Sequence, residues 1–159
     1  MNNQDFTCVR KIRISELSIV RELILRTIDH AYSTVYPPRA VQFFKEFHSE
    51  ENILQRYRND GILIVEKDGR IIGTGSLVGT EILGVFILPE FQNQGHGRLL
   101  MHALEHKALA SGINDVELSI SLPSRKFYES LGYEVIADRS FDVGEGQKLD
   151  YWSARKALK

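Results

Sequence analysis

The stretch that most restricts how this chain can fold runs from residue 82 to residue 120. VFIL (85–88) closes a strand-like run, Leu99, Leu100, Ala103, Leu104 and Ala108 recur at helical spacing, and VELSI (116–120) alternates as a strand again. Gly112, just past Ser111, is a natural stop for the helix. A strand, a helix and a strand in that order form a crossover, so the two strands should lie parallel in one sheet. The joint between the first strand and the helix reads QNQGHGR (92–98), with Gly95 and Gly97 one residue apart. Glycine tolerates unusual dihedrals and lets another group approach the backbone closely. The first amides of a helix lack partners within it, and the peptide dipoles favour an anion there. The segment therefore predicts a nest of amides for phosphate, with Arg98 and the side chains of Gln92 and Gln94 as further donors. A tight turn that binds nothing fits the two glycines as well, and the spacing alone leaves both readings open.

Two familiar phosphate loops can be excluded. A P-loop ends in Gly-Lys-Ser/Thr, whereas this stretch gives Gly97-Arg98-Leu99. A dinucleotide loop needs a small residue where Leu100 stands, and it normally opens the first crossover of a chain.

Before this unit, residues 6–12 read as a strand, and Leu17, Val20, Ile24, Ile28 and Ala31 as one face of a helix ending near Tyr32. Pro37-Pro38 breaks the chain. AVQFFKEF (40–47) and residues 49–57 follow as shorter helices, the second with Ser49 as its N-cap. ILIVEK and RIIGTGSLV are strands joined by Asp68-Gly69, a two-residue hairpin turn, and EILGVFIL follows Val78-Gly79-Thr80. Residues 121–131 read as a short helix stopped by Gly132. YEVIA (133–137) and LDYWSAR (149–155) read as final strands around a polar loop, 138–148.

With 159 residues the chain suits one domain, 1–159, able to bury a core without disulfides. Its 20 basic and 21 acidic residues nearly cancel, so no global field draws it to nucleic acid or a membrane surface. Cys8 is the only cysteine, which suits a reducing compartment. MNNQDFTCVRKIR lacks the apolar centre of a signal peptide, and no apolar run approaches the roughly 20 residues that span a bilayer. A soluble, cytoplasmic protein is expected.

Gln92, Gly95 and Gly97 meet the pattern Gln-x-x-Gly-x-Gly, which resembles the acetyl-CoA signature of the GNAT superfamily of N-acetyltransferases. SLPSRKFYESLGY (121–133) is similar to that superfamily's second motif through Phe127, Tyr128, Glu129, Gly132 and Tyr133, and the order of elements agrees over nearly the whole chain. Two departures stand out. Asn93 occupies a position that is often Gly, although Asn tolerates left-handed dihedrals. Ser121 stands where an Asn is common, a position from which some members contact the cofactor through the side chain.

The resemblance implies an α/β (α+β) fold with a central mixed sheet, mostly antiparallel, with one splayed parallel pair and flanking helices. It implies acetyl-CoA as cosubstrate and no metal. The pantetheine arm would pair with the backbone at Val85 and Ile87, and the pyrophosphate would sit in the turn of Gln92, Asn93, Gln94, Gly95, His96, Gly97 and Arg98. Of these, His96 reads from position as an exposed first-turn residue. Glu81 falls where some members place a general base, Val85 N–H where they hold the oxyanion, and Tyr128 where many protonate the coenzyme A thiolate. Position alone also allows Glu81 to be a surface acid and Tyr128 to be core packing, while Phe127 is assigned to the core. The acceptor would be a primary amine of a small molecule or peptide. Residues 30–47 and the loop 138–148 would shape its site: Tyr32, Tyr36, Phe43 and Phe44 could wall it and Asp138, Asp142 and Glu145 could attract a cation, although core aromatics and a solvated acidic loop are the stronger expectation. A homodimer is left open.

Two rivals compete. One is a non-catalytic acyl-CoA sensor with the same fold, which would bind acetyl-CoA and turn nothing over. The other is a zinc peptidase, because His102-Ala103-Leu104-Glu105-His106 spells His-x-x-Glu-His. Positions 102, 105 and 106 fall mostly off the apolar face, so a solvated face is the expectation for all three.

Overall fold

The computed structural model describes residues 6–159; residues 1–5, part of the stretch read for a leader, lie outside the described residues. The chain runs through β1 (Thr7–Lys11), α1 (Leu17–Tyr32), α2 (Pro38–Phe47), α3 (Glu50–Arg58), β2 (Ile62–Lys67), β3 (Arg70–Val78) and β4 (Glu81–Ile87). It continues with α4 (His96–Ala110), β5 (Asp115–Ser121), α5 (Arg125–Ser130), β6 (Glu134–Gly144) and β7 (Gln147–Ala157). Proline sets the entry of α2, since Pro38 at the first helical position gives up an N–H that would have had no helical partner. Ser49 caps α3 by accepting the Asn52 N–H at 3.2 Å.

The strands form one sheet of seven in the order β1-β2-β3-β4-β5-β7-β6. Every neighbouring pair is antiparallel except β4 and β5. Those two meet in one register pair, Glu81 with Glu117, supported by the Glu117 N–H donating to the Thr80 carbonyl at 3.0 Å. Beyond it they part, so the sheet is mixed and its parallel pair is open. Residues Ile71 to Leu77 of β3 are buried without alternation, because α1 and α4 both pack on this strand and cover both faces. No helix is long and apolar enough to cross a membrane.

The structure departs from the sequence reading in two places. Residues 138–148 are not a loop: β6 and β7 continue as a long hairpin to Glu145-Gly146, both with positive φ (55° and 71°). Helix α4 is also rotated from the face first read. Leu99 is 43% exposed, while Met101 and Glu105 are buried beside Leu100, Leu104 and Ala108.

Glu105 enters the interior because it is paired there. It accepts from the Lys156 ammonium at 2.9 Å and from the Tyr133 hydroxyl at 2.8 Å, tying α4 to β7 and to the start of β6. Removing one member leaves the others buried and unpaired, which costs more than the pair contributes net. Glu105→Leu is expected to destabilise the protein by about 3 kcal/mol, read from the denaturation midpoint at unchanged slope. An unchanged midpoint would show that Lys156 and Tyr133 find water instead.

Candidate active site

The site begins at a fault in β4. Leu83 faces Ser76 and Phe86 faces Thr74, so Gly84 and Val85 together oppose the single residue Gly75 of β3. This is a bulge, which leaves a residue outside the ladder and bends the strand. Gly84 has φ +64°, and a Cβ there would stand 3.2 Å from Arg56 Nη1 and 3.3 Å from His48 Cε1. Glycine is thus required for the dihedral and for the close approach of a buried pair. His48 at the α2–α3 joint and Arg56 in the last turn of α3 form that pair: Arg56 donates to His48 Nδ1 at 3.0 Å and to the Phe47 carbonyl at 3.1 Å. Burial and the Arg56 charge push the His48 imidazolium down to about 3. The ring is therefore neutral, with its proton on Nε2.

Two cavities meet where β4 and β5 part, sharing Tyr32, Val85, Phe86, Ser124 and Tyr128. One, of about 380 Å³, is lined by Val85, Ile87, Gln92, Asn93, Gly95, Gly97, Arg98 and Phe127 among others. The other, of about 300 Å³, holds Glu81, His48 and a wall of aromatic rings.

The glycines at the head of α4 have different reasons to be there. Gly95 takes φ +86°, following Asn93 at +61°. A Cβ on Gly97 would stand 3.0 Å from the Phe127 ring. Leu99 is the first residue of α4 whose N–H is taken within the helix, by the Gly95 carbonyl at 3.1 Å. No described residue accepts from the N–H groups of His96, Gly97 or Arg98, and the exposed Arg98 side chain has no ion-pair partner among the described residues. The glutamines differ from expectation. Gln92 Nε2 donates to the Ile87 carbonyl at 2.9 Å and Gln94 Nε2 to the Glu90 carbonyl at 3.1 Å, so these amides brace the turn rather than point to a ligand. Gln94 and His96 do not line the cavity, and the His96 ring lies against Phe91 at 6.4 Å. Phe127, assigned to the core, is only partly buried and forms the cavity wall above Gly97.

The model of the acetyltransferase (GNAT) domain matches residues 32–145. This chain belongs to the GNAT family. An uncharacterized N-acetyltransferase of Chlorobaculum tepidum is 28% identical over 140 residues, covering 85% of this chain and 80% of the relative. A GCN5-related N-acetyltransferase of Rhodopseudomonas palustris has the same fold, with a TM-score of 0.84 at 19% identity and 94% of each chain covered. PaiA N-acetyltransferase of Thermoplasma acidophilum, solved in complex with coenzyme A, gives 0.75 at 20% identity, covering 96% of this chain and 99% of its own.

In this GNAT acyltransferase Glu81 is half-buried and lines the aromatic cavity. Burial raises its carboxyl above the usual range, the neighbouring Glu117 charge raises it further, and Arg56 opposes both. Tyr128 lines both cavities, and its hydroxyl meets no hydrogen-bond partner among the described residues. Burial, followed by the nearby Tyr32, pushes this phenol upward, so it stays protonated at neutral pH. Ser121 is already engaged, accepting from the Tyr32 hydroxyl at 3.1 Å and sharing a 2.8 Å bond with Ser124.

On the acceptor side the acids are solvated and Tyr36 is core, the stronger of the two expectations for them. Asp138, Asp142 and Glu145 do not line the cavity, and neither does Tyr36, whose hydroxyl donates to the Asp150 carbonyl and accepts from Leu122 N–H. Phe47 and Phe141 lie in the two segments expected to shape the acceptor site and do line the cavity, whereas His48, Arg56 and Tyr151 carry no local sequence pattern that singles them out. The zinc reading fails on Glu105, which was expected on a solvated face and is instead committed to Lys156 and Tyr133 inside the fold. His102 and His106 are exposed, and no group of three or more potential ligands could hold a metal among the described residues.

Proposed function

We infer that the protein moves the acetyl group of acetyl-CoA to a primary amine by direct attack at the junction of the two cavities. The observation that carries this reading is their meeting at Val85 and Tyr128, with an amide nest on one side and a half-buried carboxylate on the other. The residues present fit the coenzyme. Free amides of α4 and Arg98 suit a pyrophosphate, and Gly97 leaves room beneath Phe127. The edge of β4 at Val85 and Ile87, left without a strand partner past Glu81, suits an extended amide-bearing arm.

An alkylammonium, with pKa about 10.4, must lose a proton before it attacks. Glu81 accepts that proton directly or through water. The nitrogen lone pair then forms the C–N bond, and a backbone N–H at the bulge, which we assign to Val85, stabilises the oxygen as it gains charge. The C–S bond breaks with its electron pair on sulfur. Tyr128 donates toward this thiolate, and the second amine proton replaces the one it gives up, yielding the amide, free thiol and one proton on Glu81. Tyr128→Phe is expected to lower kcat by about 10- to 100-fold with little change in KM for acetyl-CoA, since water can replace the phenol in part. Unchanged kcat would remove Tyr128 from the chemistry. The reading itself is tested by mass-spectrometric search for N-acetylated product over a panel of primary amines and peptides. Bound acetyl-CoA with no product from any of them would favour the sensor.

A further inference from the structure

The aromatic cavity has a composition that selects among amines. Phe43 and Phe47 of α2, Phe86 of β4, Phe141 of β6 and Tyr151 of β7 all face it. The rings at its mouth are not consumed by the core: Phe43 is 36% and Phe47 43% exposed. Phe43 meets Phe141 edge-on, with centroids 4.9 Å apart, so two separate elements hold a ring-lined entrance. Such rings favour a flat apolar body at offset or edge-on contact, and they also attract an ammonium passing over their faces.

The charges are as selective. Among the described residues Glu81 is the only carboxylate in the lining, and no lysine or arginine joins it. His48 is neutral, and Arg56 sits behind it with donors committed to His48 Nδ1 and the Phe47 carbonyl. An acceptor carrying its own carboxylate would face Glu81 with no lining cation to receive it. A second ammonium would find no second carboxylate and would lie against rings.

We propose that the acceptor is a primary monoamine on a compact apolar body bearing a ring, without a carboxylate, of the arylalkylamine class. This rests on the transferase reading and narrows it. The amine lies toward Glu81 and the ring toward Phe43 and Phe141. The reaction is R–NH₃⁺ plus acetyl-CoA giving R–NH–acetyl, CoA thiol and H⁺, with no further reactant.

The test compares kcat/KM at saturating acetyl-CoA for 2-phenylethylamine, ethylamine, phenylalanine, spermidine and a lysine-containing tripeptide. The expected result is at least a 10-fold preference for 2-phenylethylamine over each of the others. In Phe43→Ala and Phe141→Ala its advantage over ethylamine shrinks at least 10-fold, while calorimetric affinity for acetyl-CoA stays within about twofold of wild type. Equal or better turnover of spermidine, phenylalanine or the tripeptide overturns the acceptor class alone and leaves the transferase standing. An unchanged ratio in both variants does the same. Absence of product from every amine, with acetyl-CoA bound, sinks the transferase reading and this proposal together.

Discussion

Glu81→Gln is expected to lower kcat/KM for amine acetylation by about 10²- to 10⁴-fold, the range over which a positioned base contributes. Glutamine keeps the shape of the side chain at the β4–β5 junction and loses only the capacity to accept a proton. Affinity for acetyl-CoA should therefore hold, because Glu81 lines the other cavity. The pH profile carries the sharper signature. Burial and Glu117 raise the Glu81 carboxyl, and a raised value extends the protonated, inactive form to higher pH. Wild-type kcat/KM should thus climb with pH through a carboxylate limb above the usual value of about 4.3, and climb further as the amine itself deprotonates. In Glu81→Gln the first limb disappears and only the dependence on the amine remains. A variant with wild-type rate and profile would make Glu81 a half-buried bystander.

Gly84→Val should lower kcat by about 10²- to 10³-fold, the effect of losing one aligned oxyanion donor. The dihedral at φ +64° is strained for any L residue, by about 1–2 kcal/mol, and worse for a β-branched one. The new side chain also pushes on Arg56 and His48, which are buried and cannot retreat into solvent. The bulge must then relax toward a regular pairing with β3, withdrawing the Val85 amide from the gap. Gly112→Val is the control, since it has φ +80° with no neighbour within 4 Å and lies at the far end of α4. Backbone strain without displacement of His48 and Arg56 should leave kcat near wild type. Equal losses in both variants would mean that strain, not the bulge, matters.

Much of the fold could be read from periodicity, because its elements meet simple rules. The crossover from β4 through α4 to β5 was legible in the change from strand to helix period, and Asp68-Gly69 announced its hairpin with positive φ at both residues (50° and 81°). The hairpin at Glu145-Gly146 uses the same geometry without the usual Asn or Asp, so polar residues 138–148 looked like a loop. The face of α4 was misjudged for a related reason: Glu105 looks solvated until Lys156, far along the chain, is placed beside it. At the site, local backbone logic marked the glycine turn and the strand before it. It could not show that the Gln92 and Gln94 amides fold back onto carbonyls of the loop, nor that His48 and Arg56 stand behind β4. Those depend on how α2 and α3 dock, which no local pattern encodes.

The central claim is that the head of α4 and the open edge of β4 hold coenzyme A. Calorimetric titration of acetyl-CoA into the wild-type protein and into Gly97→Val tests it most directly, because the valine side chain would drive into the Phe127 ring that walls the cavity above Gly97. The account predicts one molecule bound per chain in the wild type and affinity at least 10-fold weaker in the variant, with the fold intact by circular dichroism. No heat from the wild type, or the same affinity in both proteins, would contradict it.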